Sequence, residues 1–345
     1  MPVGIGDLGK VIMLTTAFTT AFGLDYPIAQ APMGGAVTVD LICAVCEAGG
    51  LGMQGVSWHE PGEMLAEITA IRRRTARPFA VNLVLEWDQH ARLAQCIDAG
   101  APVISLFWGD PTDYFPRLRA AGVKTIVTVG SADEAKRAAD LGADAICAQG
   151  NEAGGHVWGN VSTMVLLPAV VDAVAPLPVI AAGGIADGRG LAAVLALGGA
   201  GAWIGTRFLA TPEAAAHDEW KRRIISARET DTVHTELFDL GWPKAPHRVL
   251  RNSTYDLWDG AGRPPSGRRP GESEVVARQQ DGAALLRYDD STPRPGATGE
   301  IEATCLYAGQ SAGLVHDITP AGELVRRIGA EAEAALARAA SLHRT

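Results

Sequence analysis

The stretch Val179–Asp187 reads VIAAGGIAD, and Ile204–Phe208, further along, reads IGTRF. In the first, a short run of small and β-branched apolar residues ends in two glycines and then an aspartate placed to start a helix. Gly183 and Gly184 let the backbone come close to an anion with N–H groups aimed at it. The helix led by Asp187 would add its dipole. In the second, Gly205 and Thr206 end the next apolar run, where two more N–H groups and a hydroxyl can complete a cradle. Either loop alone could be a plain turn. Two adjacent glycine-rich strand ends late in a strand series are where an α/β barrel keeps its phosphate site. Arg207 would add charge there or make an ion pair elsewhere.

Around this pair, β-branched runs alternate with amphipathic ones. The expected strands are Ile28–Met33, Leu51–Val56, Phe79–Leu85, Val103–Gly109, Lys124–Gly130, Ala145–Gly150, Pro178–Gly184 and Ala202–Phe208. They are apolar on both faces, as buried parallel strands are. Thr38–Ala48, Pro61–Arg74, Asp133–Leu141 and Gly188–Gly198 read as helices between them. An open doubly wound sheet would carry a glycine-rich loop after its first strand. Here that strand ends APMGG, and the glycine-rich loops come late, so the expectation is an α/β TIM (β/α)8 barrel. The expected organisation is a barrel core over 14–226, an inserted lid or excursion over 227–300, and a C-terminal segment over 301–345 whose helix Glu323–Ala340 packs back on the barrel. Gly260–Gly299 is rich in Gly, Pro, Arg and Ser and reads as partly mobile, without a core of its own.

The bulk properties narrow the function. The chain has 345 residues, 47% of them hydrophobic, with a formal net charge of −9. An acidic chain is a poor nucleic-acid partner, and the basic run Arg72–Arg74 reads as the solvated end of a helix. No apolar run is long enough to span a bilayer. The signal-like stretch Val11–Phe22 is studded with threonine and runs into a strand, so it reads as structure. Five cysteines without metal-ligand spacing, Cys43 and Cys46 included, read as buried thiols in a cytoplasmic protein. His217, His234, His247 and His316 are dispersed, so no metal centre is expected. Ser105, Cys147 and His59 have no partners in sequence.

Gln149–His156 reads QGNEAGGH and follows the sixth expected strand, at the C-terminal mouth. His156 titrates in the range useful for proton transfer, although a lone histidine is more often structural. Gln149 suits the polar edge of a bound ring, Gly154 lets the loop bend beneath it, and Glu152 reads as a loop organiser. Asn82, inside FAVNLVL, must find a partner in the core or on a cofactor. Met33 could offer an apolar face and a backbone N–H.

Together, APMGG, Asn82 in VNLVL, QGNEAGGH, AAGGIADGRG, IGTRF and YAGQSAG (Tyr307–Gly313) resemble the nitronate monooxygenase family, formerly the 2-nitropropane dioxygenases. The resemblance implies an FMN-binding barrel that oxidises alkyl nitronates, or the parent nitroalkanes, with O2. It implies FMN contacts at Asn82, Gln149, Gly154, Gly184, Gly205 and Thr206, beside the Met33 and Gly183 read above, and a catalytic His156. Gln310 and Ser311 would close over the site, and Trp158 would shape the substrate pocket. A sister branch, the flavin-dependent enoyl-acyl-carrier-protein reductases, uses NAD(P)H on the same scaffold; SLFWGDP (Ser105–Pro111) looks more like the monooxygenase branch. A flavin-binding protein without turnover is the third reading.

Overall fold

The computed structural model describes residues 14–342. Eight parallel strands form the barrel: Ile28–Gln30, Gly52–Gly55, Phe79–Val84, Val103–Phe107, Lys124–Val129, Ala145–Gln149, Val179–Ala182 and Gly201–Ile204. Each pairs with its neighbour in order, and the first pairs with the eighth. The first and second strands meet only through a short bridge, where the Leu51 N–H donates to the Ile28 carbonyl at 2.9 Å and the Gln30 N–H to the Leu51 carbonyl at 2.9 Å. The expected barrel is therefore the observed one.

Two apolar layers hold it. Strand residues such as Val81, Ile104, Ile146 and Ala181 face outward into a large core with the surrounding helices. Alternate residues, among them Met53, Ala80, Ile126, Cys147 and Ile180, fill the barrel interior, as side chains on opposite faces of a strand must. The helix Ala17–Phe22, capped by Thr16, plugs the lower end through Phe18 and Phe22. Of the signal-like stretch, residues 14–22 are thus folded structure; residues 11–13 lie outside the described ones. The five cysteines are free and buried, and no helix among the described residues is long and apolar enough to cross a membrane.

The eighth strand is followed by the short helix Thr206–Leu209 and then by Asp218–Ser226, which packs on the tail turns Ile301–Ala303 and Gln310–Leu314. The eighth helical position is filled from the far end of the chain, by Ala321–Ala340, which packs between the helices Gly188–Ala196 and Val39–Glu47. Its Gly329 lies under the Tyr26 ring, where a Cβ would collide. The excursion was expected to lack a core, and here the structure differs. Leu237, Phe238, Val249, Tyr255, Tyr288 and Cys305 form one small core. A three-stranded antiparallel sheet of Val275–Arg278, Ala284–Leu286 and Thr298–Gly299 forms another with Ile301. Composition misled because buried arginines take the place of apolar residues: Arg269 reaches Asp239 and Glu272, and Arg287 reaches Glu274.

Arg207 resolves as an ion pair. Its buried guanidinium contacts Asp317, and Arg327 grips the same carboxylate at 2.8 Å. The Arg327 hydrogen bond, with Thr319 and Arg207, holds the Asp317 carboxyl down to about 2. Replacing Asp317 with alanine takes the counter-ion from the buried Arg207; half of the Asp317 side chain meets solvent, which screens the pair, so the loss is about 2 kcal/mol. Because the carboxyl is depressed, this stabilisation is present above about pH 4 and is lost as pH falls toward 2. Thermal melts of wild type and D317A should differ by several degrees at pH 7 and converge in strong acid.

Candidate active site

The APMGG, QGNEAGGH, AAGGIAD and IGTRF loops open at the C-terminal mouth, because each follows a parallel strand of the same barrel. The seventh and eighth strands are adjacent, which brings the Gly183–Gly184 and Gly205–Thr206 turns side by side. Gly183 and Gly184 have φ of +99° and +75°, backbone that other residues adopt only with strain. Neither amide donates a hydrogen bond among the described residues. A Cβ on Gly184 would meet only the Glu152 side chain at 3.9 Å, whereas one on Gly183 would press on Ala153 N and Gly150 O at 2.9 Å. Gly183 is thus needed for packing, and Gly184 leaves open space.

The helix dipole expected to support this cradle is already satisfied. Asp187 accepts from the Arg189 and Gly190 N–H groups, and Glu331 accepts from Gly188 N at 3.0 Å. Two carboxylates at that helix start oppose an anion, so the cradle rests on the turns alone. The Thr206 hydroxyl accepts from Gly309 N at 2.9 Å, which ties the Tyr307–Gly313 tail to the mouth and leaves its proton free to donate. Gly205 sits where a Cβ would touch Ala31 at 3.4 Å and the Met33 side chain at 3.9 Å. The Met33 N–H is not available: it donates to the Ala31 carbonyl at 2.9 Å. Only the side chain of Met33 is left to face a ligand.

Gln149 spends its side chain on its own loop. Nε2 donates to the His156 carbonyl at 3.0 Å and Oε1 accepts from Trp158 N at 3.0 Å. It sets the height of His156, a positioning task that strand-end polarity alone could not reveal. Gly154 differs from the expectation too. A Cβ there would run into the backbone of Ala308 and Gly309, 2.6 Å from the Ala308 carbonyl carbon; the glycine admits the tail. Glu152 organises the loop as expected, accepting from Thr163 N and Oγ1 at 2.9 and 3.0 Å. Arg248 adds a clamp, donating to the Asn151 carbonyl at 2.8 Å. In the tail, the Gln310 N–H donates to the Glu152 carbonyl at 3.0 Å, and Ser311 is buried beside it. Asn82 donates to Ser105 Oγ at 3.1 Å, which pairs Ser105 after all; its Oδ1 has no partner among the described residues.

His156 lies on a two-residue strand, Gly155–His156, that pairs with His247–Leu250 of the excursion, His156 opposite His247. The histidines dispersed in sequence are therefore not all dispersed in space. Trp242 covers the imidazole at 4.1 Å between ring centres, Trp108 meets it edge-on at 6.0 Å, and Tyr307 lies 5.5 Å away. Burial, with His247 beside it, pulls the His156 imidazole down to about 3, so the ring is neutral at physiological pH. Its Nε2 is shielded from water and has no hydrogen-bond partner, an arrangement that costs stability unless something else fills the site. His247 is satisfied, its Nδ1 against the Ala245 carbonyl at 2.8 Å and its Nε2 against Phe238 N at 3.3 Å.

Sequence reasoning missed Trp242, His247 and Arg248, which arrive from the excursion. It also passed over Trp58, Trp87 and Trp108, although each falls just after the end of a successive strand, a signal that was readable. His59, unpartnered in sequence, meets Glu67 at 2.9 Å, and Glu63 lies close by. Glu67 also accepts from Gln54 at 2.9 Å, and its hydrogen bond raises the His59 pKa. A cavity of about 440 Å³ on the excursion lies between His234, Tyr255, Trp258 and Arg269; Arg263 and Arg269 on its wall are each paired with carboxylates.

An unpartnered imidazole and open backbone amides stand at the mouth of a (β/α)8 barrel, and the similarities of the chain place it in the class of flavin-dependent oxidoreductases. Within it the chain belongs to the nitronate monooxygenase family, whose sequence profile matches residues 15–95 and 85–331. It is 35% identical, over 95% of its length and 99% of the relative's, to the (3aS,4S,5R,7aS)-5-hydroxy-7a-methyl-1-oxo-octahydro-1H-indene-4-carboxyl-CoA dehydrogenase of Mycobacterium tuberculosis. The structure of FabK from Thermotoga maritima superposes with a TM-score of 0.80 at 33% identity, covering 96% of this chain and 100% of that one. The nitroalkane oxidase from Streptomyces ansochromogenes does so with a TM-score of 0.75 at 31% identity, covering 94% and 100%.

Adding one methyl at Gly154 should separate the tail from the His156 loop. G154A is expected to cost about 3 kcal/mol by overpacking, read as a lower melting temperature and faster proteolysis within residues 301–320.

Proposed function

We propose that the chain is an FMN-dependent enzyme that oxidises alkyl nitronates, or the parent nitroalkanes, with O2. The observation that carries this reading is the neutral, half-buried His156 whose shielded Nε2 has no partner in the protein. The residues present fit FMN: the amides of Gly183 and Gly184 and the Gly205–Thr206 turn for the phosphate, the Asn82 Oδ1 and the Met33 side chain for the ring. When bound, FMN would supply a two-electron acceptor that O2 can reoxidise.

The protein's part is proton handling and exclusion of water. A neutral nitroalkane held at the mouth gives its α-proton to His156 Nε2. The imidazolium so formed is expensive in a buried site, and the Trp242 and Trp108 rings beside it recover part of that cost as cation–π attraction. A preformed nitronate needs no base, and the other tautomer, with the proton on Nε2, donates to its oxygen. Gln149 fixes where that nitrogen sits in either case.

A second reading is supported by the similarity over whole chains to the M. tuberculosis CoA-ester dehydrogenase and to FabK: electron transfer between NAD(P)H and an acyl thioester. Anaerobic mixing separates the two. Propyl nitronate should bleach the flavin absorbance of the purified yellow protein faster than NADH does; the reverse order sinks the nitronate reading. His156→Ala should retain the flavin and lose about a thousandfold in kcat. Because burial lowers the His156 pKa to about 3, kcat/KM for nitroethane should show no acid limb near pH 6.5; its fall should come only as pH approaches 3. A limb at 6.5 would mean that the imidazole is solvated in the working enzyme, against the neutral enclosed ring.

A further inference from the structure

Five of the eight tryptophans converge on one wall of the mouth. Trp58, Trp87 and Trp108 follow the second, third and fourth strands, Trp158 follows His156, and Trp242 comes from the excursion. The ring-to-ring path starts at the imidazole: His156 to Trp242 at 4.1 Å, Trp242 to Trp87 at 5.0 Å, Trp87 to Trp58 at 5.7 Å. Trp108 joins Trp242 and Trp158, each at 4.8 Å. Neighbouring rings are inclined by 56–71°, so the wall is faceted rather than flat.

Three observations give this wall a purpose beyond packing. Trp58 is 52% exposed and Trp87 and Trp158 are 36% exposed, at the rim of a site whose imidazole lacks a partner. Contiguous exposed aromatic surface of this kind marks a place that something apolar covers. Trp108 is held at φ +62°, a left-handed backbone unusual for a bulky residue and typical of functional sites. Finally, the carboxylate bonded to the wall, Glu134, stands at its Trp158 end, where one oxygen accepts from the Trp158 indole N–H at 2.9 Å and the Gly130 N–H at 2.8 Å. No carboxylate bonds the indoles of Trp242, Trp87 and Trp58 among the described residues, and that stretch of the wall suits an apolar ring.

We propose that the enzyme selects substrates carrying a flat apolar ring, with the reacting carbon at His156 and the ring gripped by the exposed Trp58 and Trp87, which the buried Trp242 backs from below. A ring in a faceted box meets several indole faces at once, stacked or edge-on. A short alkyl chain offers these indoles no ring to stack on. The carbon-acid half of this assignment rests on the proposed function; the ring-binding half stands on the wall.

The test uses the flavin-loaded enzyme with preformed nitronates, so that differences in carbon acidity drop out. Wild type should reduce its flavin with phenylnitromethane nitronate at a kcat/KM about tenfold or more above that for propyl nitronate. The double variant Trp58→Ala/Trp87→Ala should erase most of that ratio through KM, and Trp58→Phe should restore it. The inert bicycle 1-indanone should quench tryptophan fluorescence saturably in wild type and not in the double variant. Turnover of propyl nitronate without ring preference, or a ratio unchanged in the double variant, overturns the proposal. If neither nitronate reduces the flavin, the nitronate reading fails on its own; the 1-indanone titration then decides the wall, saturable binding supporting it and no binding overturning it.

Discussion

Backbone meets backbone where Gly154 crosses Ala308 and Gly309, closer than any side chain would permit. That crossing joins two stretches about as far apart in sequence as the barrel is wide in residues, and the mouth is organised around it. On one side it seats the loop that carries His156; on the other it seats the tail that bonds the Thr206 hydroxyl. Both sides need glycine for the same steric reason, since a Cβ on Gly309 would press on the Glu152 carbonyl at 2.6 Å. The Glu152–Thr163 and Arg248–Asn151 bonds then hold the loop in register from outside.

The chain pays for this arrangement with buried charge. Arg207, Arg269 and Arg287 are nearly inaccessible, and each is met by a carboxylate from another part of the fold or of the excursion. Such pairs add little net stability compared with apolar residues of the same size, but a lost partner is expensive. They tie the tail and the excursion to one arrangement, and that arrangement presents Trp242 and His247 to His156. The neutral state of His156 follows from the same packing. An imidazole enclosed by Trp242, Tyr307 and His247 loses the water that would solvate its charged form.

The comparisons bear out the family that the sequence resembles. Assigning single residues from a motif was less exact. Gln149, Gly154 and the Met33 amide read in sequence as ligand contacts, yet the structure engages each with the protein itself. A glycine demanded by a crossing backbone and one demanded by a phosphate look alike in a string of letters. Glutamine at a strand end likewise does not say whether its amide points to a ligand or back to its own loop.

The barrel was readable from the sequence because its cause is local: eight β-branched runs, apolar on both faces, with glycine-ended helices between them, have few ways to bury themselves. The two glycine pairs and the histidine loop were readable for a related reason, since any loop that follows a parallel strand must open at the same end. The source of the eighth helix, the cores of the excursion, the tryptophan wall and the neutral imidazole were decided only in three dimensions. Each depends on residues far apart in the chain arriving at one place, and the pairings of His156 with His247, Arg207 with Asp317 and Trp87 with Trp242 have no periodicity or spacing that could announce them.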